Sequence, residues 1–343
     1  MNQRRTGRPV RAIACAGLAG LLAASGCGEV VSPSDADAGA PADAAPAGDG
    51  TTLYAPYFFA WAWSNPAYAF SSLTDMKAKG GPSAVTLAFV LSDGGCEATA
   101  DLQAQRADIA AYTAAGGHVR ASFGGALGTY LEYKCATADA LAAALGRFVD
   151  ATGITDLDFD LEQNQTSSNA ALNQLRGAAL RQLQSARHVQ VSFTLPAAPS
   201  GVLQDSLDIL QAAVDAGVDI SIINGMTMDY GKGTDLSTTP VASVDAIARQ
   251  VVALYPQHSL AEAYRRVGAT AMIGKNDDGE TFTLDDARTL IDHAKLHALG
   301  LVSFWAIHRD QVCPPGDSIE LCSRLNAKTF DFSAIFAGVN AAP

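Results

Sequence analysis

Ile154-Thr155-Asp156-Leu157-Asp158-Phe159-Asp160-Leu161-Glu162 alternates apolar and acidic residues without a break from Leu157 to Glu162. In an extended strand, side chains two residues apart share a face. The spacing therefore predicts a strand with Asp158, Asp160 and Glu162 on one side and Leu157, Phe159 and Leu161 on the other. A solvated edge strand also alternates, but its polar face usually carries Thr, Lys or Ser rather than an unbroken row of carboxylates. Neighbouring carboxylates resist ionising together, which raises at least one pKa. A row that hands a proton to a substrate is the reading that uses all of these acids.

Apolar β-rich runs recur on both sides of this stretch, separated by segments of helical period. Strands are expected at 54–59, 84–91, 118–123, 154–161, 189–195, 220–230, 269–273 and 301–306. Helices are expected at 100–115, 138–151, 168–186, 203–216, 241–255 and 284–298. Asn169, Asp205 and Asp285 stand near helix starts, and Gly116, Gly217 and Gly300 near helix ends. Strands alternating with helices over this length predict a (β/α)8 TIM barrel, one catalytic domain without a large insertion. A doubly wound open sheet is the rival, but no GxGxxG follows an early strand. Barrel chemistry sits at the C-terminal ends of the strands. Those ends read Ser122-Phe123-Gly124-Gly125, Asp160-Leu161-Glu162, Met228-Asp229-Tyr230-Gly231 and Trp305-Ala306-Ile307-His308-Arg309-Asp310. Polar, aromatic and glycine residues gather there, while the N-terminal ends are ordinary.

The chain has 343 residues, 48% hydrophobic and 17% charged, with a net charge of −12. It carries no basic stripe, which argues against nucleic acid as a partner. Arg4, Arg5, Arg8 and Arg11 precede an apolar run over 12–24 that is short for a membrane span. The run ends in Ala24-Ser25-Gly26-Cys27, which resembles the lipobox of bacterial lipoproteins. Residues 1–27 are thus expected to be a signal peptide ending at a lipidated Cys27, and residues 28–50 an Ala/Asp/Pro/Gly tether without structure. The protein is expected to be secreted or held in the bacterial cell envelope. Its contact with membrane would run only through the lipid anchor at Cys27, and it is expected to be a monomer. Beyond the leader remain Cys96, Cys135, Cys313 and Cys322, which allow three pairings. In an oxidising compartment Cys96–Cys135 and Cys313–Cys322 are favoured: the second closes a short loop, and the first ties loops after neighbouring strands. No CxxC spacing exists and the histidines are scattered, so neither a metal nor a cofactor is expected.

The strand ends carry a family resemblance. Leu157-Asp158-Phe159-Asp160-Leu161-Glu162 resembles the DxxDxDxE signature of glycoside hydrolase family 18, the chitinases. Ser122-Phe123-Gly124-Gly125 resembles the family's SxGG, Met226-Thr227-Met228-Asp229-Tyr230 its MxYD region, and Trp305 its tryptophan on the last strand. The likeness runs from about residue 53 to 336 and is nearest to bacterial single-domain chitinases with MxMDYG on the sixth strand. Two departures stand out. Thr155 occupies the first Asp of the signature, with Asp156 at the following Gly, and Met228 occupies the Tyr of MxYD.

The resemblance implies hydrolysis of β-1,4-N-acetylglucosamine linkages in chitin or chito-oligosaccharides. Glycosidases usually set two carboxyl groups on opposite faces of the anomeric carbon. Here the acids follow one another on one strand, and the resemblance implies a substrate-assisted retaining route instead. In that route the sugar's 2-acetamido oxygen attacks C1 to form an oxazolinium ion. Glu162 then protonates the leaving oxygen and later activates water, while Asp160 orients the acetamido N–H. Asp158, deepest of the row, would share a proton with Asp160 and so help keep Glu162 protonated. Asp229 adds a polar contact, Trp305 forms a floor under the sugar, and Tyr57 and Trp61 extend the stacking surface. Gly124 and Gly125 either let backbone approach the ligand or make a tight turn. Tyr230 is expected to take the place of the missing MxYD tyrosine, unless the site around Met228 is tuned differently. His308 is expected to be a packing residue. Two further readings stay open: a non-catalytic carbohydrate-binding barrel, and an endo-β-N-acetylglucosaminidase acting on glycoprotein glycans.

Overall fold

A computed structural model describes residues 51–162, 169–315 and 318–341. The expected signal segment, Cys27 and the tether over 28–50 lie outside the described residues, as does Ser168 at the start of one expected helix. The strands, in chain order, are β1 (Leu53–Tyr54), β2 (Tyr57–Phe59), β3 (Ala84–Val90), β4 (His118–Gly124), β5 (Asp156–Asp160) and β6 (Gln190–Ala198). They continue with β7 (Gly201–Val202), β8 (Ile220–Met226), β9 (Val267–Met272), β10 (Gly274–Lys275), β11 (Thr281–Phe282) and β12 (Leu301–Trp305).

The main sheet runs β1-β12-β9-β8-β6-β5-β4-β3-β2, and every pair along this path is parallel. β1 and β2 are halves of one barrel strand. The first half pairs Leu53 with Leu301, and the second pairs Tyr57 with Thr86. The break falls at Ala55-Pro56, where proline has no N–H for the ladder and only its carbonyl is used, by Thr86 N at 3.0 Å. Counting those halves once, eight parallel strands close on themselves, and a helix lies between each strand and the next. The expected (β/α)8 barrel is the observed fold.

Some boundaries differ for local reasons. The helix expected over 100–115 is two pieces, Asp101–Ala104 and Arg106–Ala114, joined at Gln105. The sixth expected strand stops at Met226 rather than 230, because Asp229 turns to φ 54° and Tyr230 N leaves the ladder to donate to Glu280 Oε1. Both favoured disulfides, Cys96–Cys135 and Cys313–Cys322, are formed.

The alternation of β5 divides two environments. Leu157 and Phe159 face outward onto the helical layer. Phe159 stacks on Phe123 at 5.3 Å, and Phe123 meets Phe148 of helix Ala138–Thr152 edge-on. The acidic face points into the barrel. Register places Ser122, Asp158 and Ser192 in one layer, Arg120 and Asp156 in the layer below, and Gly124, Asp160 and Thr194 in the layer above. Barrel interiors are usually filled by branched apolar residues. This one is a hydrogen-bonded polar column that leads upward to the mouth.

Candidate active site

At the foot of the column Arg120 is fully buried, and its guanidinium fork is used on all sides. Nε reaches Asp156 Oδ2 at 3.2 Å, Nη1 donates to Thr86 Oγ1, and Nη2 donates to Ser192 Oγ with Asp158 Oδ1 at 3.5 Å. Burial pushes the Asp156 pKa up, but the Arg120 charge and the His118 ring at 3.0 Å overcome it and hold the carboxyl below its ordinary value. Asp158 accepts from Ser192 Oγ (2.6 Å), Ser122 Oγ (2.8 Å) and Thr194 Oγ1 (2.9 Å). With Arg120 beside it, this is a buried carboxylate whose lone pairs are satisfied and whose charge has a counter-ion. The partners found for Asp158 are hydroxyls and a guanidinium, rather than the Asp160 carboxyl that was expected.

One layer higher, Asp160 is buried among acids: burial first, then the charges of Glu162 and Asp158, drive its pKa well above the ordinary value. Its Oδ2 accepts from Tyr57 Oη at 3.0 Å, while Oδ1 has no hydrogen-bond partner among the described residues. Glu162 follows the end of β5 at the mouth, half-buried and within bonding reach of Asp160. Burial, with the Asp229 charge added, also raises the Glu162 pKa, whereas its bond to Asp160 lowers it. Both carboxyls are thus held above the ordinary carboxylate range, Asp160 the more strongly. Tyr130 fixes the mouth: its hydroxyl accepts from Glu162 N at 2.9 Å and donates to Gly125 O at 2.8 Å.

Around this pair a central cleft of about 170 Å³ is lined by Tyr57, Phe89, Asp160, Glu162, Thr194, Met226, Met228, Asp229 and Trp305, among others. Trp305 is half-buried, parallel to Phe89 at 5.6 Å and tilted to Tyr57 at 5.5 Å. On the β6–β8 side the cleft opens into about 480 Å³ bordered by Glu162, Pro196, Leu203, Met228 and Tyr230. On the other side lie about 680 Å³ walled by Phe59, Trp61, Phe89, Leu127 and Trp305. Trp61 is 46% exposed and stacks on Phe59 at 4.5 Å. Open space thus flanks Glu162 in both directions.

Three expectations change. Tyr57 is buried, and its contribution is the hydroxyl on Asp160 rather than an exposed stacking face. Tyr230 does not stand in for the absent MxYD tyrosine, since its hydroxyl pairs with Ser243 Oγ at 2.7 Å, and it borders only the outer chamber. Gly124 and Gly125 serve the turn reading. A Cβ on Gly124 would lie 2.0 Å from Asp160 O, and one on Gly125 would lie 2.6 Å from the Phe89 ring. Both hold positive φ and make room for protein, not ligand. Thr155 is exposed at the opposite end of β5 from Glu162, so that departure from the family pattern stays outside the site. His308 is a packing residue as expected: it stacks on Phe59 at 4.7 Å, and burial lowers its pKa to about 3. The sequence reading passed over Arg120, Thr194, Phe89, Tyr130 and Asp277. Only Arg120 had a visible signal, an Arg inside an apolar strand that needs an acid across from it.

Asp229 offers a test of this electrostatic picture. Burial and the charge of Asp277 raise its pKa to about 6, against the opposing backbone N–H groups of Asp278 and Asp277. A folded-state pKa above the unfolded one gives stability that is full below the unfolded value and lost as pH rises through about 6. Asp229→Asn keeps the accepting Oδ1 and removes that loss. Its Tm should exceed the parent's by about 1 to 3 °C at pH 8 and match it near pH 4, with the alkaline limb of kcat/KM moved to lower pH. Equal Tm differences at both pH values in calorimetry would contradict the assignment.

No family model matches the chain. It is similar to a probable bifunctional chitinase/lysozyme of Escherichia coli (strain K12), 32% identical over 254 residues, which are 68% of this chain and 28% of that protein. It is also similar to endochitinase 11 of Metarhizium anisopliae, 30% identical over 282 residues, 75% of this chain and 52% of that protein. The chain thus spans about half or less of the length of these curated relatives. Among solved structures, catalytic-site mutants of active domain 2 of the chitinase from Pyrococcus furiosus superpose with a TM-score of 0.76 at 30% identity. That match covers 84% of this chain and 94% of the domain.

Proposed function

The chain belongs to glycoside hydrolase family 18, and from that membership we propose that it hydrolyses β-1,4-N-acetylglucosamine linkages in chitin or chito-oligosaccharides. The observation that carries the proposal is the placement of Asp160 and Glu162 together at the mouth of the barrel, in one cleft with Trp305. The carboxyl groups of β5 enter from one side, and the substrate-assisted route needs no protein nucleophile on the far face of C1. The 2-acetamido oxygen of the substrate fills that place. Glu162 gives its proton to the leaving oxygen, and Asp160 takes the acetamido N–H and balances the positive charge that develops on the ring it forms. Tyr57 holds Asp160 in line from below. Water then enters where the leaving group departed, Glu162 removes its proton, and the configuration at C1 is retained.

Space on both sides of Glu162 supports cleavage within a chain rather than only at its end. We further propose export from the cytosol, with Cys27 as a lipid anchor, and a monomeric state. Two disulfides and the basic, then apolar, leader support export. The test is mass spectrometry of products from N-acetylglucosamine hexamer beside its fully deacetylated counterpart. Mixed dimer, trimer and tetramer from the first, and at least 100-fold less product from the second, is the expected result, since the second lacks the internal nucleophile. Cleavage of both at similar rates would reject substrate assistance, and an intact acetylated hexamer would reject the activity.

A further inference from the structure

We propose that Asp245, His293 and His297 form a binding site for a divalent late first-row transition ion, of which Zn2+ best suits the ligand set. His293 and His297 stand one turn apart on helix Leu284–His297, so their rings share a face. Asp245 projects from the neighbouring helix Thr239–Leu254. One ligand atom from each of the three lies within 4.8 Å of the others.

His293 Nε2 is 2.9 Å from Asp245 Oδ1, where it forms an ion pair without a well-directed hydrogen bond, and His297 stands beside the pair as a third donor. Two tetrahedral ligands with bonds of about 2.1 Å stand about 3.4 Å apart, so the pair would admit an ion after opening by about 0.5 Å. The His297 ring, 4.4 Å from that of His293 between centroids, brings a third ligand atom within 4.8 Å of the other two. Tyr264 braces the group, its hydroxyl donating to Asp245 Oδ1 at 2.7 Å and its ring stacking on His297 at 4.2 Å. Such partners orient ligands before the ion arrives. Two imidazoles and a carboxylate favour Zn2+ over Mg2+ or Ca2+, which prefer all-oxygen shells.

An open recess of about 440 Å³ bordered by Asp245 and His293 provides entry and room for water on the remaining positions. None of the three residues lines the cleft around Glu162. A bound ion therefore braces two helices of the outer layer and takes no part in the chemistry, and the inference stands whether or not the protein cleaves chitin.

The experiment uses the full chain, stripped with EDTA and titrated with Zn2+ alone, read by calorimetry and thermal unfolding. One ion per chain is expected, with Tm raised by roughly 3 to 6 °C at a hundredfold excess over Kd. His297→Ala should weaken binding at least tenfold and abolish the shift, and Asp245→Asn should do the same. Mg2+ should give no shift. Hexamer turnover should be equal with and without EDTA at temperatures below unfolding. Absence of binding up to about 1 mM Zn2+, far above the Kd of a three-ligand site, overturns the proposal. So does an undiminished stoichiometry and shift in both variants.

Discussion

Glu162→Gln is expected to lower kcat on chito-oligosaccharides by about 10³-fold, within the range that a positioned general acid supplies. The amide has the shape of the acid and keeps a carbonyl that can accept, but it has no proton to give to the leaving oxygen. KM should change little, because Trp305, Met228 and Asp229 still line the cleft. Stability should not fall. The Glu162 charge is one reason the Asp160 pKa lies so high, so its removal eases a repulsion. A drop in activity with an unchanged or higher Tm therefore separates lost chemistry from lost structure. Steady-state rates on the acetylated hexamer, with a parallel unfolding scan, check this. Turnover within tenfold of the parent would remove Glu162 from the role of acid.

Arg120→Met should be the most destabilising single change in the barrel interior. The side chain is buried below the cleft rather than lining it, and is the counter-charge to both Asp156 and Asp158. Breaking a buried ion pair by removing one partner costs about 3–5 kcal/mol, since the other charge is left without water or a cation. In a domain of this size that is a fall in Tm on the order of 10 °C. The pH dependence has a definite sign. The depressed Asp156 pKa contributes stability above its unfolded value and loses it as pH falls through the folded one. The penalty of the variant should accordingly be larger at pH 7 than at pH 4. Adding Asp156→Asn should return part of the loss, because one orphaned charge goes with it. A fall of less than about 1 kcal/mol at pH 7, or a second substitution that worsens the first, would show that the ion cluster is not what holds the column together.

Both variants act on the same alternating strand, and they differ in how visible their basis was. Asp158, Asp160 and Glu162 could be placed from spacing alone, because a period of two obliges them to share a face whatever surrounds it. Which face meets the barrel interior was set by the fold, in which Phe159 packs outward on Phe123 and the acids turn inward. The roles within the row were not legible from spacing and came from the family resemblance. Spacing treats the acids as equivalents, whereas Asp158 has three hydroxyls and a guanidinium, and Asp160 has Tyr57 and an oxygen with no partner. Those neighbours come from β2, β4 and β6, more than 30 residues away in the chain, and register alone brings them to one layer.

The alternating acidic strand, the barrel and the end at which the site lies were readable in the sequence, and of three possible cysteine pairings it favoured the one that formed. Each follows from local periodicity, from composition or from a short-range rule. Packing across the fold turned the Tyr57 hydroxyl to Asp160 and Tyr230 to Ser243, made the paired glycines clear space for Asp160 and Phe89, and brought two histidines and an aspartate together on the outer helices. These depend on side chains distant in sequence arriving at one point with a particular direction. Direction at a point is set by packing across strands and helices, and periodicity along a single segment carries no record of it.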